Sequence, residues 1–374
     1  MKIKAMYPDY DHCISGIPNA LLHHYGVHTS EYRMPKLKRA LKHNYKNTVL
    51  IILDGMGIDM MQHQLGLFSF LRRHIKDKIS SVFPPTTVAA TTTFYTGLEP
   101  VEHGWLGWAP YFKDLNRVVE MFTDKDFYTG ESVGEKVSDR IPYQHIFDRI
   151  KAVNPAIQLT AIFPSSIQSD GPNNFQEMCD RIEALTQKNG EQFILAYWPE
   201  PDSTSHEFGP YSKEVRNVLL DLNQKVQQLC AKLKDTLIII SADHGHIENN
   251  SEIMIDDYPD LVDCFSVPLS LDMRTQAIFL KPNKEEEFLN LFKKYLAPDF
   301  LLLKSEEAVT RGLFGKGKTH PCVKDLLGDY LIIAKTEKSL VQRFPNDVYS
   351  HLKGQHSGLT NAEMIVPLIL IKKD

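Results

Sequence analysis

Uninterrupted apolar runs alternate with amphipathic stretches along most of this chain. The run at 48–53, TVLIIL, shows no polar alternation, the pattern of a strand buried on both faces in the middle of a parallel sheet. It stops at Asp54, which Gly55 and Gly57 follow. Runs at 192–198 and 236–241 break off similarly, into EPDSTSH and ADHGH. Between them the pattern predicts helices at 60–74, 143–153, 174–188 and 214–234 and strands at 78–83 and 159–163. Pro84-Pro85 forces an extended approach to a short helix at 86–95 that begins on hydroxyl residues and ends at Gly97. Residues 1–47 read as an irregular lead-in with short helices near 19–25 and 37–43, and 99–140 as an aromatic, turn-rich excursion over a sheet edge.

Strand alternating with helix is the signature of βαβ units, so the expected class is α/β: a mostly parallel central sheet with helices on both faces. From about 268 to 337 the order becomes β-α-β-α-β, predicting a small inserted α+β cap subdomain, with 1–267 and 338–374 forming the core. The closing apolar run in MIVPLILIKK suits a last core strand.

A length of 374 residues allows such a core plus an insertion. Net charge is −5 with lysines and acids interspersed, which argues against a nucleic acid polymer or an anionic membrane as the main partner. The first residues contain no apolar secretory segment, and no run approaches the ~18 apolar residues of a membrane helix; a cytoplasmic location is the expectation. The five cysteines are scattered and never in C-x-x-C spacing, so reduced thiols are expected rather than disulfides or a thiolate zinc site.

Two motifs carry no function in this reading. Residues 312–319 match GxxxxGK[ST], a phosphate loop only when it joins a strand to a helix; here a helical SEEAVTR precedes it and His320-Pro321 follows. Asn249-Asn250-Ser251 is a glycosylation sequon that matters only in a secreted chain.

The strand ends carry the chemistry. Taken alone, Asp54 is an acid in a turn, but three apolar strands deliver carboxylates and imidazoles to one sheet edge, where α/β proteins bind ligands. Asp202 and His206 are one helical turn apart, Asp243 and His244 are adjacent, and His356 stands near Gly358. Carboxylates with imidazoles suit Zn²⁺ first, and Mn²⁺ or Fe²⁺ less well. Six ligands exceed one tetrahedral ion, so two divalent metals are expected. A threonine opening the helix after Pro84-Pro85 offers a hydroxyl where helix N–H groups attract phosphate.

The string FPPTTVAATTTFYTGLEPVEHG, with DGMG before it and EPDSTSH, SADHGH and QHSG after it, resembles the alkaline phosphatase superfamily, most closely its nucleotide pyrophosphatase/phosphodiesterase (type I phosphodiesterase) branch. These motifs run from 49 to 358. The resemblance implies a nucleophile at Thr87, one zinc held by Asp54, Thr87, Asp243 and His244, and another held by Asp202, His206 and His356. It also implies two-step phosphoryl transfer through a phosphothreonine intermediate. Sulfatase relatives carry C/S-x-P-x-R, absent here. Where the branch has a phosphate-binding asparagine, this chain has Trp108; Tyr197 matches a family tyrosine that stacks on a nucleobase. Trp108 and Tyr197 are therefore the expected substrate-binding residues. No arginine near the motifs occupies a phosphate-clamping position, which favours a diester or nucleotide pyrophosphate over a monoester, unless Arg274 or Arg311 of the cap folds over the site. Phosphomonoesterase or mutase-like chemistry is the alternative, and a non-catalytic ligand-binding relative the one after it.

Overall fold

The computed structural model describes residues 5–29, 34–344 and 351–374; the remaining parts of the predicted lead-in and returning core segment lie outside the described residues. Its main sheet has six strands in the order Ile75–Ser80, Ile365–Lys373, Thr236–Ser241, Asn47–Leu53, Gln192–Trp198, Gln158–Ile162. Only Ile365–Lys373 runs against the rest, pairing antiparallel with both of its neighbours, so the sheet is mixed but mostly parallel. Every residue of the three central strands 47–53, 192–198 and 236–241 is buried, as their unbroken apolar runs require. Leu53 stands opposite Trp198 and Ile52 opposite Ser241, so the three carboxyl ends finish almost level. That register brings three distant loops together.

Two groups of helices flank the sheet. Gly16–His24 packs on Thr87–Thr96, Pro35–Leu41 and Ile146–Val153, while Lys213–Lys232 packs on Phe175–Thr186, Phe70–His74 and Ile58–Gln64. The helix predicted at 60–74 is two helices, Ile58–Gln64 and Phe70–His74, interrupted around Gly66 where the chain turns with Leu67 and Phe68 exposed. The strand predicted at 78–83 lies earlier, at Ile75–Ser80. Beyond it Ser81 Oγ donates to the Asp243 carbonyl, bending the chain towards the Thr87 helix.

The segment expected as a cap builds a second, antiparallel sheet in the order Ser270–Asp272, Thr275–Ile278, Tyr330–Ala334, Phe300–Lys304. Alternation sorts its faces. Leu331 and Ile333 join Phe83, Val88 and Met364 in one buried cluster, whereas Tyr330, Ile332 and Ala334 pack with Phe288 and Phe292 of the helix Glu285–Tyr295. The second sheet therefore shares a core with the helix that begins at Thr87.

Arg274 is fully buried, not poised over a substrate. Its Nε and Nη2 donate to the Glu363 carboxylate at 2.6 and 2.9 Å, and its guanidinium also caps the carbonyls of Thr336 and Lys338. Arg311 is exposed and pairs with Glu307 on its own helix. Neither arginine lines the cavity that touches Thr87. Because breaking a buried pair leaves one charge uncompensated, Glu363→Gln is expected to destabilise the fold by about 3–5 kcal/mol in equilibrium denaturation. A loss below about 1 kcal/mol would show that the pair contributes little.

The 312–319 segment is a glycine turn whose Lys316 and Gly317 amides bind the Glu99 carboxylate, not a phosphate loop between strand and helix. The Asn249 side chain is buried against Glu252 and the Leu352 carbonyl, which closes the sequon. The five cysteines are free thiols, and no described helix is long and apolar enough to cross a membrane.

Candidate active site

Asp54 follows the central strand directly. Its amide donates to the Trp198 carbonyl at 2.9 Å, and the Asp202 amide donates to the Asp54 carbonyl at 3.0 Å, which ties two strand-end loops together. The Gly55 amide donates to Asp243 Oδ1 at 3.1 Å and adds the third loop. Gly55 has φ +70°, and a Cβ there would lie 2.8 Å from His246 Cδ2, so the turn requires glycine.

Asp54, Asp243 and His244 converge, all buried. His244 Nε2 lies 3.3 Å from Asp54 Oδ1 and 3.5 Å from Asp243 Oδ2. Thr87 Oγ, from the first turn of the helix Thr87–Thr96, lies 3.2 Å from the same nitrogen and 3.5 Å from Asp54 Oδ2. Ligands of a tetrahedral ion with bonds of ~2.0–2.1 Å stand about 3.3 Å apart, which is the spacing observed. Asp54 Oδ1 and Asp243 Oδ2 are buried without a hydrogen-bond partner. Burial, then the charges of Asp243 and Asp202, push the Asp54 carboxyl well above the usual carboxylate range. Crowded, unpartnered acid oxygens of this kind fit a cation, whose charge removes the penalty.

A second group holds Asp202, His206, His246 and His356, their ligand atoms within 4.8 Å of one another. Asp202 and His206 share the short helix Asp202–Phe208, one turn apart, with Oδ1 to Nε2 at 3.4 Å; His356 Nε2 is 3.9 Å from Asp202 Oδ1. Burial works against the charge on Asp202, but the imidazoles of His206 and His246 bring its carboxyl well below the ordinary range. Burial also holds His356 well below its usual value, so its ring is neutral with a lone pair to offer. The two groups suit two divalent ions.

The expected substrate residues divide. Trp108 is half-buried on the wall of a cavity of about 370 Å³ that also touches Thr87, Asp202, His206 and His356. Its amide donates to Asp272 Oδ2 at 3.1 Å, and burial raises the Asp272 carboxyl to about 7. Phe127, Tyr128 and Leu271 line the same cavity. Tyr197 does not line it: the ring sits in the main core and its hydroxyl donates to Asp54 Oδ2. The base-stacking position expected for Tyr197 is thus corrected to a partner of Asp54. In the register of the sheet it stands opposite Ile52, two residues before that acid. Asp272 and His246 were not singled out by sequence reasoning. His246 had a signal in the second histidine of DHGH, whereas Asp272 had none.

A family profile described as type I phosphodiesterase / nucleotide pyrophosphatase matches residues 48–311. Among curated proteins, the chain is 24% identical over 223 residues to a bovine bis(5′-adenosyl)-triphosphatase, ENPP4, covering 55% of this chain and 49% of that protein. It is 27% identical over 218 residues to human ectonucleotide pyrophosphatase/phosphodiesterase family member 1, covering 53% of this chain and 23% of that one. The chain thus spans about half or less of the length of these relatives. Among solved structures, an inactive threonine-to-alanine variant of murine ectonucleotide pyrophosphatase/phosphodiesterase 5 in complex with AMP superposes with a TM-score of 0.64 at 19% identity, covering 87% of both chains.

Proposed function

This chain belongs to the type I phosphodiesterase / nucleotide pyrophosphatase family, and on that premise we propose that it hydrolyses phosphodiester or pyrophosphate bonds, with Thr87 as nucleophile at a two-zinc site. The observation that carries this is Thr87 Oγ at 3.2 Å from His244 Nε2 and 3.5 Å from Asp54 Oδ2, on the wall of the cavity. Asp54, Asp243, His244 and Thr87 hold one ion, and Asp202, His206 and His356 the other, Zn²⁺ fitting this donor set better than Mn²⁺. Divalent ions held there supply positive charge against the phosphoryl oxygens and acidify a hydroxyl or water beside them. Thr87 Oγ attacks phosphorus in line, one ester or anhydride oxygen leaves, and water then cleaves the threonine ester. The inactive threonine variant of the murine relative agrees with a threonine in this role.

The protein's own part is position and exclusion. The Tyr197 hydroxyl fixes Asp54, and the start of the Thr87–Thr96 helix aims backbone N–H groups towards phosphate. Residues 268–337 act as an inserted cap on a core of 1–267 and 338–374, contributing Leu271 and Asp272 to the cavity wall. Among the described residues that line that wall there is no lysine or arginine, so a singly charged diester suits it better than a dianionic monoester. A nucleotide-type substrate suits the aromatic wall at Trp108, Phe127 and Tyr128, and the murine relative is a complex with AMP.

The test is a parallel assay of bis-p-nitrophenyl phosphate, the p-nitrophenyl ester of thymidine 5′-monophosphate and p-nitrophenyl phosphate, with zinc and then manganese. Diesters are expected to exceed the monoester in kcat/KM by at least about tenfold, ~1.4 kcal/mol. Preference for the monoester by that margin would point instead to a phosphatase or mutase-like enzyme. Trp108→Ala should weaken the nucleotide ester more than the simple diester, by roughly 1–3 kcal/mol if the ring stacks on the base. Equal losses on both would make Trp108 packing only.

A further inference from the structure

Three of the four imidazoles at the site share one arrangement. The Nδ1 atoms of His206, His244 and His356 lie 2.8, 3.1 and 3.2 Å from the carbonyl oxygens of Gly354, Gly245 and Pro85. A neutral ring that donates Nδ1–H to a carbonyl keeps its Nε2 lone pair free, the usual preparation of a metal ligand. His246 differs. Its Nδ1 has no partner, while its Nε2 stands 2.6 Å from Asp202 Oδ1. Two atoms bound to one ion at ~2.0–2.1 Å sit about 3.3 Å apart, so this pair is too close to be two ligands and has the length of a charge-assisted N–H···O⁻ bond.

We propose that His246 is not a fourth ligand but the positioning residue of this centre, donating Nε2–H to Asp202 so that the carboxylate is held facing His206 and His356. This rests on the two-metal reading above. The carboxylate has about four lone-pair sites, so accepting one hydrogen bond leaves it able to bind a cation. The fold builds a slot for the ring: a Cβ on Gly55 would lie 2.9 Å from Nε2, and one on Gly354 would lie 3.2 Å from Nδ1. Between His244 and His246, Gly245 passes so close to Ala362 that its Cβ would stand 2.0 Å from the Ala362 carbonyl oxygen. That contact lets consecutive histidines of DHGH serve different groups, His244 beside Thr87 and His246 beside Asp202.

The experiment compares wild type, His246→Ala and His246→Gln by competitive metal titration against a chromophoric chelator and by the visible spectrum of the cobalt-substituted protein. The expected result is that His246→Ala weakens one of two bound ions by roughly 10–100-fold and leaves the other unchanged. His246→Gln, whose amide can donate to Asp202, recovers most of that affinity and keeps the wild-type cobalt bands. Bands altered by His246→Gln would make the imidazole a direct ligand and overturn the proposal. So would His246→Ala binding two ions as tightly as wild type. A wild-type protein that takes up no ion overturns both this proposal and the two-metal reading, an outcome separate from the other two.

Discussion

Thr87→Ala is expected to abolish turnover, lowering kcat by on the order of 10⁴-fold or more, ~5 kcal/mol of transition-state stabilisation, while fold and metal content stay nearly intact. The size follows from the step removed: without the hydroxyl there is no covalent route, and only binding and field effects of the site remain. Preservation of the fold follows from the contacts. Among the described residues, the Thr87 side-chain oxygen has hydrogen-bond contacts to Asp54 and His244 alone, at 3.5 and 3.2 Å, and the helix is entered from an extended Thr86 with no side-chain cap. Circular dichroism and elemental analysis of the variant check the second half of the expectation. Normal activity in Thr87→Ala would remove this residue from the mechanism.

The second large effect is on the metals. Purified protein is expected to carry close to two transition-metal ions per chain, and chelation should abolish activity until zinc is restored. Asp54→Asn exchanges a buried anionic oxygen beside Asp243, His244 and Thr87 for a neutral amide, so occupancy and rate should fall together, kcat/KM by at least about 100-fold, ~2.7 kcal/mol. His356→Ala should act likewise at the other ion. Because the histidine and carboxylate ligands must shed protons to bind, occupancy should also fall as pH is lowered. Absence of metal together with indifference to chelator would end the two-metal account. Two ions bound without turnover on any ester would favour the non-catalytic relative.

How much of this was legible beforehand depended on distance along the chain. The buried run before Asp54 announced itself, because a strand covered on both faces has no polar position to alternate. The helix at Thr87 was equally local, framed by Pro84-Pro85 and a left-handed Gly97. Pairing was not legible: Thr275–Ile278 joins Tyr330–Ala334, some 55 residues on, before Phe300–Lys304 joins the far side, and no local pattern encodes that order. Tyr197 and Arg274 show the same boundary within the site. Their residue types suggested stacking and phosphate binding, but what each one faces is set by the register across the sheet and by Glu363 near the other end of the chain. His246 was written in DHGH, yet only the 2.6 Å approach to Asp202 separates a positioning residue from a ligand.

The central claim is that hydrolysis proceeds by two displacements at phosphorus, the first by Thr87. It is tested most directly by the stereochemical course with a phosphorothioate diester of known configuration at phosphorus, cleaved in isotopically labelled water. Each in-line displacement inverts phosphorus, so two in succession predict net retention in the product. Net inversion would mean that water attacks the ester in a single step and would contradict the account.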